Sequence, residues 1–282
     1  MSEDHAAEAD GARGACAVAR VSWPAGEVLR ASAAWVSIWF PPDAVHADLG
    51  WLQFYVADGS ATVMRVAPGD MTAAELVGRV LAELRSRRVA EAFWRVGPGF
   101  VPEGVGRVLQ GLGACVDRTI DICAYPLGGP LPGGALPGAV TARPVLTRQD
   151  AADYERASAA AWGYRQPSDA DIDRTFAALA PGYFTGYWEK TPAGAGGYTL
   201  AGEVARLWGA GVVPTFRGRG VYRALVRARL AQAAGRGATL ALVHAEPTSS
   251  PILQRLGFRV YGQQQVLALG RALAARLSSP GC

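Results

Sequence analysis

The feature that most limits what this chain can fold into is that its order of elements occurs twice. VLQGLGACV over residues 108–116 aligns with ILQRLGFRV over 252–260, and RVAP at 65–68 aligns with GVVP at 211–214, with a short loop shift between the two matches. Self-similarity of this kind reads as an internal duplication. The same letters also suit any strand–helix–strand unit that closes on an apolar–Gly pair. Between the copies runs LGGPLPGGALPGAV, from Leu127 to Val140, dense in glycine and proline and without charge. It reads as a linker. The expected organisation is a disordered lead-in over 1–20, a first domain over 21–126, the linker over 127–139 and a second domain over 140–282.

The periodicities agree with two halves of one rhythm. In the first, alternating stretches predict strands over 35–40, 53–57 and 61–66, with ADGS turning the last two. Thr72 and Glu75 form a capping box that opens a helix to about residue 87. A strand over 91–96, a short helix over 105–112 and a strand over 116–125 follow. The second half reads as a strand over 140–145, helices over 149–162 and 169–179 (the latter capped by Ser168), and strands over 183–188, 197–200 and 204–213. A long helix over 220–234, a strand over 239–245, a short helix over 251–256 and a strand over 259–269 complete it.

Composition narrows the function classes. Half of the 282 residues are hydrophobic and 18% are charged, enough for a large core and against general disorder. No apolar run is long enough to span a bilayer. The N-terminal stretch MSEDHAAEADGARG is acidic and small, the opposite of a secretory or transit signal, so a cytoplasmic protein is expected. Cys16, Cys115, Cys123 and Cys282 lie far apart without ligand spacing, and only three histidines exist, so neither a metal nor a disulfide framework is expected. The net charge of +4 comes almost wholly from arginines spread along helices. Neither nucleic acid nor a membrane is the expected partner.

The stretch GVVPTFRGRGVYRALVRARL, from Gly211 to Leu230, carries the chemistry. A strand ending at Val213 and a helix starting near Gly220 leave the helix N-terminal amides unpaired and aimed at the loop between them. The helix dipole adds partial positive charge there. Gly218 and Gly220 let a ligand approach the backbone, and Arg217 and Arg219 add full charge. The pattern is that of a phosphate or pyrophosphate cradle. It lacks the GK[ST] ending of a P-loop and the GxGxxG of a dinucleotide fold. A basic turn is the plainer reading of RGRG taken alone.

Val212-Val213-Pro214 followed by Arg217-Gly218-Arg219-Gly220, then helix, strand and a short helix ending in Leu256-Gly257-Phe258, resembles the GNAT N-acetyltransferase superfamily. The resemblance covers about 140–269 well and about 35–125 more faintly, so a tandem GNAT arrangement is suggested. It implies an α+β fold of two tandem GNAT-like domains, each a mixed, mostly antiparallel twisted sheet flanked by helices. It also implies acetyl-CoA or another acyl-CoA as co-substrate, held in a gap where the cofactor strand splays from its neighbour. The loop amides from Arg217 through Gly218, Arg219, Gly220 and Val221 to Tyr222 would hold the pyrophosphate. Backbone groups at Gly211, Val212 and Val213 would pair with the pantetheine arm, and one of those amides would stabilise the oxyanion. The first copy has APGDMT over 67–72 in place of the cradle, with no arginine, a carboxylate, and a helix capped by its own Thr72. It reads as a half that kept the fold, lost the cofactor, and packs beside the acceptor pocket.

The acid and base are less determined. The position where many members of the superfamily place a tyrosine is Leu253. Ser249, Ser250, Tyr222 or Tyr261 would have to protonate the leaving thiolate, whose ordinary pKa of roughly 8.5 makes help useful but not indispensable. His244 and Glu246 close the strand over 239–245 and point to one side, two residues apart. They are the candidate base pair, with Glu246 as a plain loop acid the alternative. Trp162, Tyr164, Tyr183, Tyr187 and Trp188 fall where such enzymes shape the acceptor side, or else pack the core. Asp169, Asp171 and Asp173 suit the first turn of their helix. The expected function is transfer of an acyl group, acetyl first, to a primary amine of a small molecule by a monomer or homodimer. The alternatives are transfer of another small group such as formimidoyl, a non-catalytic CoA-binding scaffold, and a nucleic-acid binder using Arg223, Arg227 and Arg229.

Overall fold

The computed structural model describes residues 22–36, 40–131, 134–178 and 182–270. The expected lead-in over 1–20 lies outside the described residues. The first half supplies α1 (Ala25–Ala33), β1 (Val45–Asp48), β2 (Leu52–Ala57), β3 (Ser60–Val66), α2 (Ala73–Ser86), β4 (Glu91–Val96), α3 (Val105–Gly111) and β5 (Cys115–Pro126). The second supplies β6 (Val140–Pro144), α4 (Arg148–Trp162), α5 (Asp169–Ala177), β7 (Tyr183–Trp188), β8 (Thr191–Ala201) and β9 (Val204–Val212). It continues with α6 (Val221–Gly235), β10 (Leu240–Ala245), α7 (Ser250–Arg255) and β11 (Arg259–Leu269).

Local chemistry accounts for most of these elements. Asp58 and Gly59 have φ of 50° and 75°, the pair of left-handed residues that a two-residue hairpin turn between β2 and β3 requires. Leu52, Phe54, Ala61, Val63, Ala92 and Trp94 alternate onto one face of β2, β3 and β4 and are buried. That face meets Leu76, Val77, Val80, Leu81 and Leu84, which recur at helical spacing along α2. In the second half α6 packs Val221, Ala224, Leu225 and Leu230 against the sheet in the same manner.

Two expectations fail. The strand expected over 35–40 is absent from its described residues: Trp35, Val36 and Phe40 lie in no regular element, and residues 37–39 are outside the described residues. In its place α1 precedes β1, opened by Pro24, whose missing N–H costs nothing at a helix start. The strand expected over 197–200 is the longer Thr191–Ala201, because small residues from Ala193 to Gly197 pack edge to edge where bulkier side chains would collide.

All eleven strands join one mixed, mostly antiparallel sheet, in the order β1-β2-β3-β4-β11-β5-β10-β9-β8-β7-β6. The linear division at the linker is therefore not the division of the sheet. The last strand of each half crosses to the other, β5 beside β10 and β11 beside β4, and the two pair with each other at the centre. Only β3–β4 and β9–β10 run parallel, and each parallel ladder is short. Beyond Leu207 and Val243 in the second half, and beyond Val63 and Trp94 in the first, parallel pairing stops while the strands run on to Val212, Ala245, Val66 and Val96, leaving a gap in each ladder. The fold thus has two gaps related by the duplication.

Candidate active site

The gap of the second half ends at the N-terminus of α6. Gly218 and Gly220 have φ of 75° and 93°, so the loop takes the left-handed turns that only glycine adopts without strain. Nothing lies within 4 Å of where a side chain at Gly218 would begin. No side chain caps α6. Among the described residues the amides from Gly218 to Arg223 make no backbone hydrogen bond of good geometry, although residues 217–220 form a turn. By contrast α2, α4 and α5 are each closed by a complete capping box, Thr72–Glu75, Thr147–Asp150 and Ser168–Asp171. The equivalent helix of the first half therefore carries a carboxylate on its own first turn, while α6 presents free N–H groups. A pyrophosphate fits the second terminus and would be repelled by the first.

The two loop arginines lean on the protein. Arg217 Nε donates to the Val212 carbonyl at 3.1 Å, and the Arg219 guanidinium lies 4.9 Å above the Trp188 ring. The Val213 amide is engaged with the Ala193 carbonyl at 2.9 Å. Of the two valines expected to face the gap, Val212 is the one whose carbonyl turns toward the loop. Upstream, β9 bulges: Trp208 pairs with Gly197 and Gly211 with Ala195, and Gly209 has a φ of 60°. Arg229 of α6, fully buried, donates from Nη1 to the carbonyls of Gly197 at 3.0 Å and Trp208 at 3.4 Å. Burial pushes its pKa down to about 10. Arg223 and Arg227 donate to the linker carbonyls of Ala135 and Gly134. The arginine stripe of α6 is thus directed at the chain itself, not offered as an open nucleic-acid face.

A cavity of about 600 Å³ lies where the two halves meet, within the range of small-molecule sites. Its walls come mainly from the first half: Trp35 after α1, Tyr55, Thr62, Phe93 and Arg95 from that half's own gap, and Phe100. The second half adds Trp162, Tyr164, His244 and Glu246. Trp162 stands against β9, its Nε1 2.9 Å from where a side chain at Gly211 would begin. The cavity and the β9–β10 gap are neighbours through that contact.

His244 and Glu246 do line one cavity, but in different states. The His244 ring is enclosed, stacked on Trp35 with centroids 4.3 Å apart. Arg95 Nη1 lies 3.1 Å from its Nδ1, which as partner of a guanidinium must accept. Nε2 then carries the proton and donates to Ser32 Oγ at 2.8 Å. Burial, Arg95 and Arg206 hold its pKa well below the usual histidine range. It is a neutral imidazole with both nitrogens engaged, a poor proton acceptor. Glu246 is half-buried and meets Arg118 Nε at 3.3 Å. Ser249 donates to the Glu246 carbonyl at 3.1 Å, and its side chain is within reach of the Tyr222 hydroxyl, whose pKa burial raises. Leu253 is fully buried in the core and leaves no hydroxyl at its position.

The expected acceptor aromatics divide. Trp162 and Tyr164 line the cavity, whereas Tyr187 is buried with its hydroxyl donating to Asp153, and Tyr183 packs edge-on against Trp208. Asp171 accepts from Arg165 and Ser168 and is held far below the usual carboxylate range, while Asp169 and Asp173 pair with Arg148. These acids belong to the helix start. Arg95, Ser32 and Trp35 were not anticipated as part of the site. The alternation FWRV put Arg95 opposite Trp94, but nothing local told that α1 and the other half would cover that face.

Residues 148–258 match the model of the acetyltransferase (GNAT) family, and this stretch is a domain of that family. Among solved structures the chain is similar to a tandem GNAT protein from the clavulanic acid biosynthesis pathway, at 15% identity, TM-score 0.61, with 86% of each chain covered. It is also similar to a GCN5-related N-acetyltransferase from Kribbella flavida, at 21% identity and TM-score 0.56, covering 80% of this chain and 89% of that one. One from Sphaerobacter thermophilus follows at 18% identity and TM-score 0.59, covering 79% and 82%. These likenesses establish the fold over both halves. No curated protein sequence matches the chain.

Proposed function

We propose that this chain, which carries a GNAT acetyltransferase domain at 148–258, moves an acyl group, acetyl in the first instance, from acyl-CoA to a primary amine of a small molecule. The observation that carries the reading is the uncapped α6 terminus with its free amides from Gly218 to Arg223, set at the mouth of the β9–β10 gap. The acceptor enters the cavity between the halves, beside Trp162 and Gly211. An amine-bearing metabolite undergoing tailoring or detoxification is the substrate setting we propose.

Bound acyl-CoA supplies the thioester. The amides of Gly218 to Tyr222 hold its pyrophosphate, and Val212 faces its pantetheine arm. Glu246, exposed to the cavity, takes the proton that an ammonium acceptor must lose. The amine nitrogen then bonds to the acyl carbon, the carbon–sulfur bond breaks, the thiolate leaves, and the nitrogen gives up its second proton, which restores the proton that Tyr222 donates. Tyr222, close to Ser249, returns a proton to sulfur in place of the tyrosine that Leu253 displaces. His244 orients the wall through Arg95 and Ser32 and stays neutral.

Calorimetric titration of acetyl-CoA into the wild type and into Gly220→Asp tests the cradle. One site per chain is expected, weakened at least tenfold in the variant, with free thiol released when an amine acceptor is added. No binding by the wild type would overturn the reading. A non-catalytic CoA-binding role is the second reading, supported by the buried Leu253; binding without thiol release across an acceptor panel would favour it.

A further inference from the structure

Four arginines line the junction cavity, Arg30, Arg65, Arg95 and Arg118, against one carboxylate, Glu246. Three of the four already have acidic partners. Arg30 is 3.9 Å from Glu27, Arg65 is 3.8 Å from Asp48, and Arg118 pairs with Asp117 and with Glu246. Arg95 differs. Among the described residues it has no carboxylate within ion-pair distance, and its one hydrogen-bond partner is His244 Nδ1. Burial is the largest influence on its pKa and lowers it. His244 cannot offset the charge, since it is neutral and accepts from it.

A guanidinium sunk in a wall without a counter-ion is a costly arrangement, retained where something else completes it. His244 engages one nitrogen of its fork, Nη1, and the residue lines the cavity, where a planar anion could take two parallel N–H bonds from the guanidinium. Much of the cavity wall is apolar or aromatic, including Tyr55, Phe93, Phe100 and Val266. Glu246 lies close enough for its charge to act on Arg95. A cation and an anion so placed suit the two ends of a zwitterion.

We propose that the acceptor is an amino carboxylate with an apolar or aromatic body, and that Arg95 selects it by binding its carboxylate. The inference rests on the reading that the junction cavity takes the acceptor. The amine then lies toward Glu246 and the β9–β10 gap, and the body fills the gap between β3 and β4. The first half, having no free phosphate cradle of its own, thereby supplies the specificity of the second.

The test uses 3-phenylpropionate and 3-phenylpropanamide, which differ only in the charged group, titrated against the full chain by quenching of the tryptophans that line the cavity. The wild type is expected to bind the carboxylate at least tenfold more tightly than the amide. Arg95→Met should abolish that preference. Arg95→Gln, which keeps a donor for His244 Nδ1, should abolish it too and guards against a folding defect in the first variant. Equal binding of the two probes, binding of neither, or a preference that persists in Arg95→Gln would overturn the proposal. Acetyl-CoA calorimetry on the same proteins separates the two readings. Cofactor binding without carboxylate preference sinks only the choice of acceptor, whereas a wild type that does not bind acetyl-CoA sinks the acyltransferase reading itself.

Discussion

Arg229 Nη1 lies 3.0 Å from the carbonyl oxygen of Gly197, reaching from the middle of α6 to the flank of the bulge in β9. The same nitrogen reaches the carbonyl of Trp208, the residue paired with Gly197 at the same end of that bulge. A bulge leaves carbonyls without ladder partners, and here a buried cation on α6 satisfies them. The helix that offers its amides to a ligand is thus tied to the strand whose backbone faces the same gap.

Arg229→Met should therefore loosen both. Each buried carbonyl left without a donor costs about 1–3 kcal/mol, partly offset because an unpaired charge is no longer buried. A net destabilisation of about 2 kcal/mol is expected from urea unfolding. Acetyl-CoA affinity should fall as well, although the side chain touches no cofactor. An affinity unchanged in a destabilised variant would show that the bulge does not govern the gap.

The helix termini give a paired prediction. Thr72→Ala opens the capping box of α2 and should cost about 1 kcal/mol, read as a lowered denaturation midpoint. It should leave acetyl-CoA stoichiometry at one site, because the first half has neither arginines nor a pair of left-handed glycines in the matching loop. A second site appearing in this variant would mean that capping alone had silenced the first half.

His244 predicts how stability depends on pH. Its folded pKa lies well below the unfolded value of about 6.5, so the unfolded chain binds the proton first as pH falls. Stability from this group is fully present above the unfolded pKa and declines below it. Between pH 7.5 and 5.5 the loss should be about 1.4 kcal/mol. Glu155, whose pKa burial raises, acts in the opposite sense, so the difference between wild type and His244→Asn isolates the histidine. Parallel stability curves for the two proteins would show that His244 is not held neutral.

Much of this architecture was legible because its causes are local. The alternation of Leu52, Phe54, Ala61 and Val63, the Asp58–Gly59 turn and the Thr72–Glu75 box each act over a few residues. The missing pieces are those whose cause is remote. AGEVLRASA is too short and too rich in small residues to announce α1, which is held by burial of Val28 and Ser32 against the second half's strands. The exchange of β5 and β11 follows from pairing between segments far apart in the chain, and either strand has the pattern to accept either neighbour. Arg95 reads as an ordinary solvent-facing residue of an alternating strand until the other half closes over it.

Glu246 and Tyr222 divide the proton work, and their variants should separate it. Glu246→Gln removes the cavity's carboxylate and should lower kcat by about 10²-fold, within the range for a general base. Affinity for acetyl-CoA should hold, since Glu246 stands on the acceptor side. The loss should shrink as pH rises, because a larger share of acceptor amine then arrives already neutral. Tyr222→Phe should cost only about tenfold, since a thiolate is a tolerable leaving group near neutrality, and that loss should shrink as pH rises above the thiol pKa, where sulfur needs no proton. Losses that disappear in two distinct pH ranges, above the thiol pKa of about 8.5 for Tyr222→Phe and near the higher amine pKa for Glu246→Gln, would assign acid and base to these residues. Identical trends would place one proton transfer elsewhere, with Ser249→Ala the next substitution to compare.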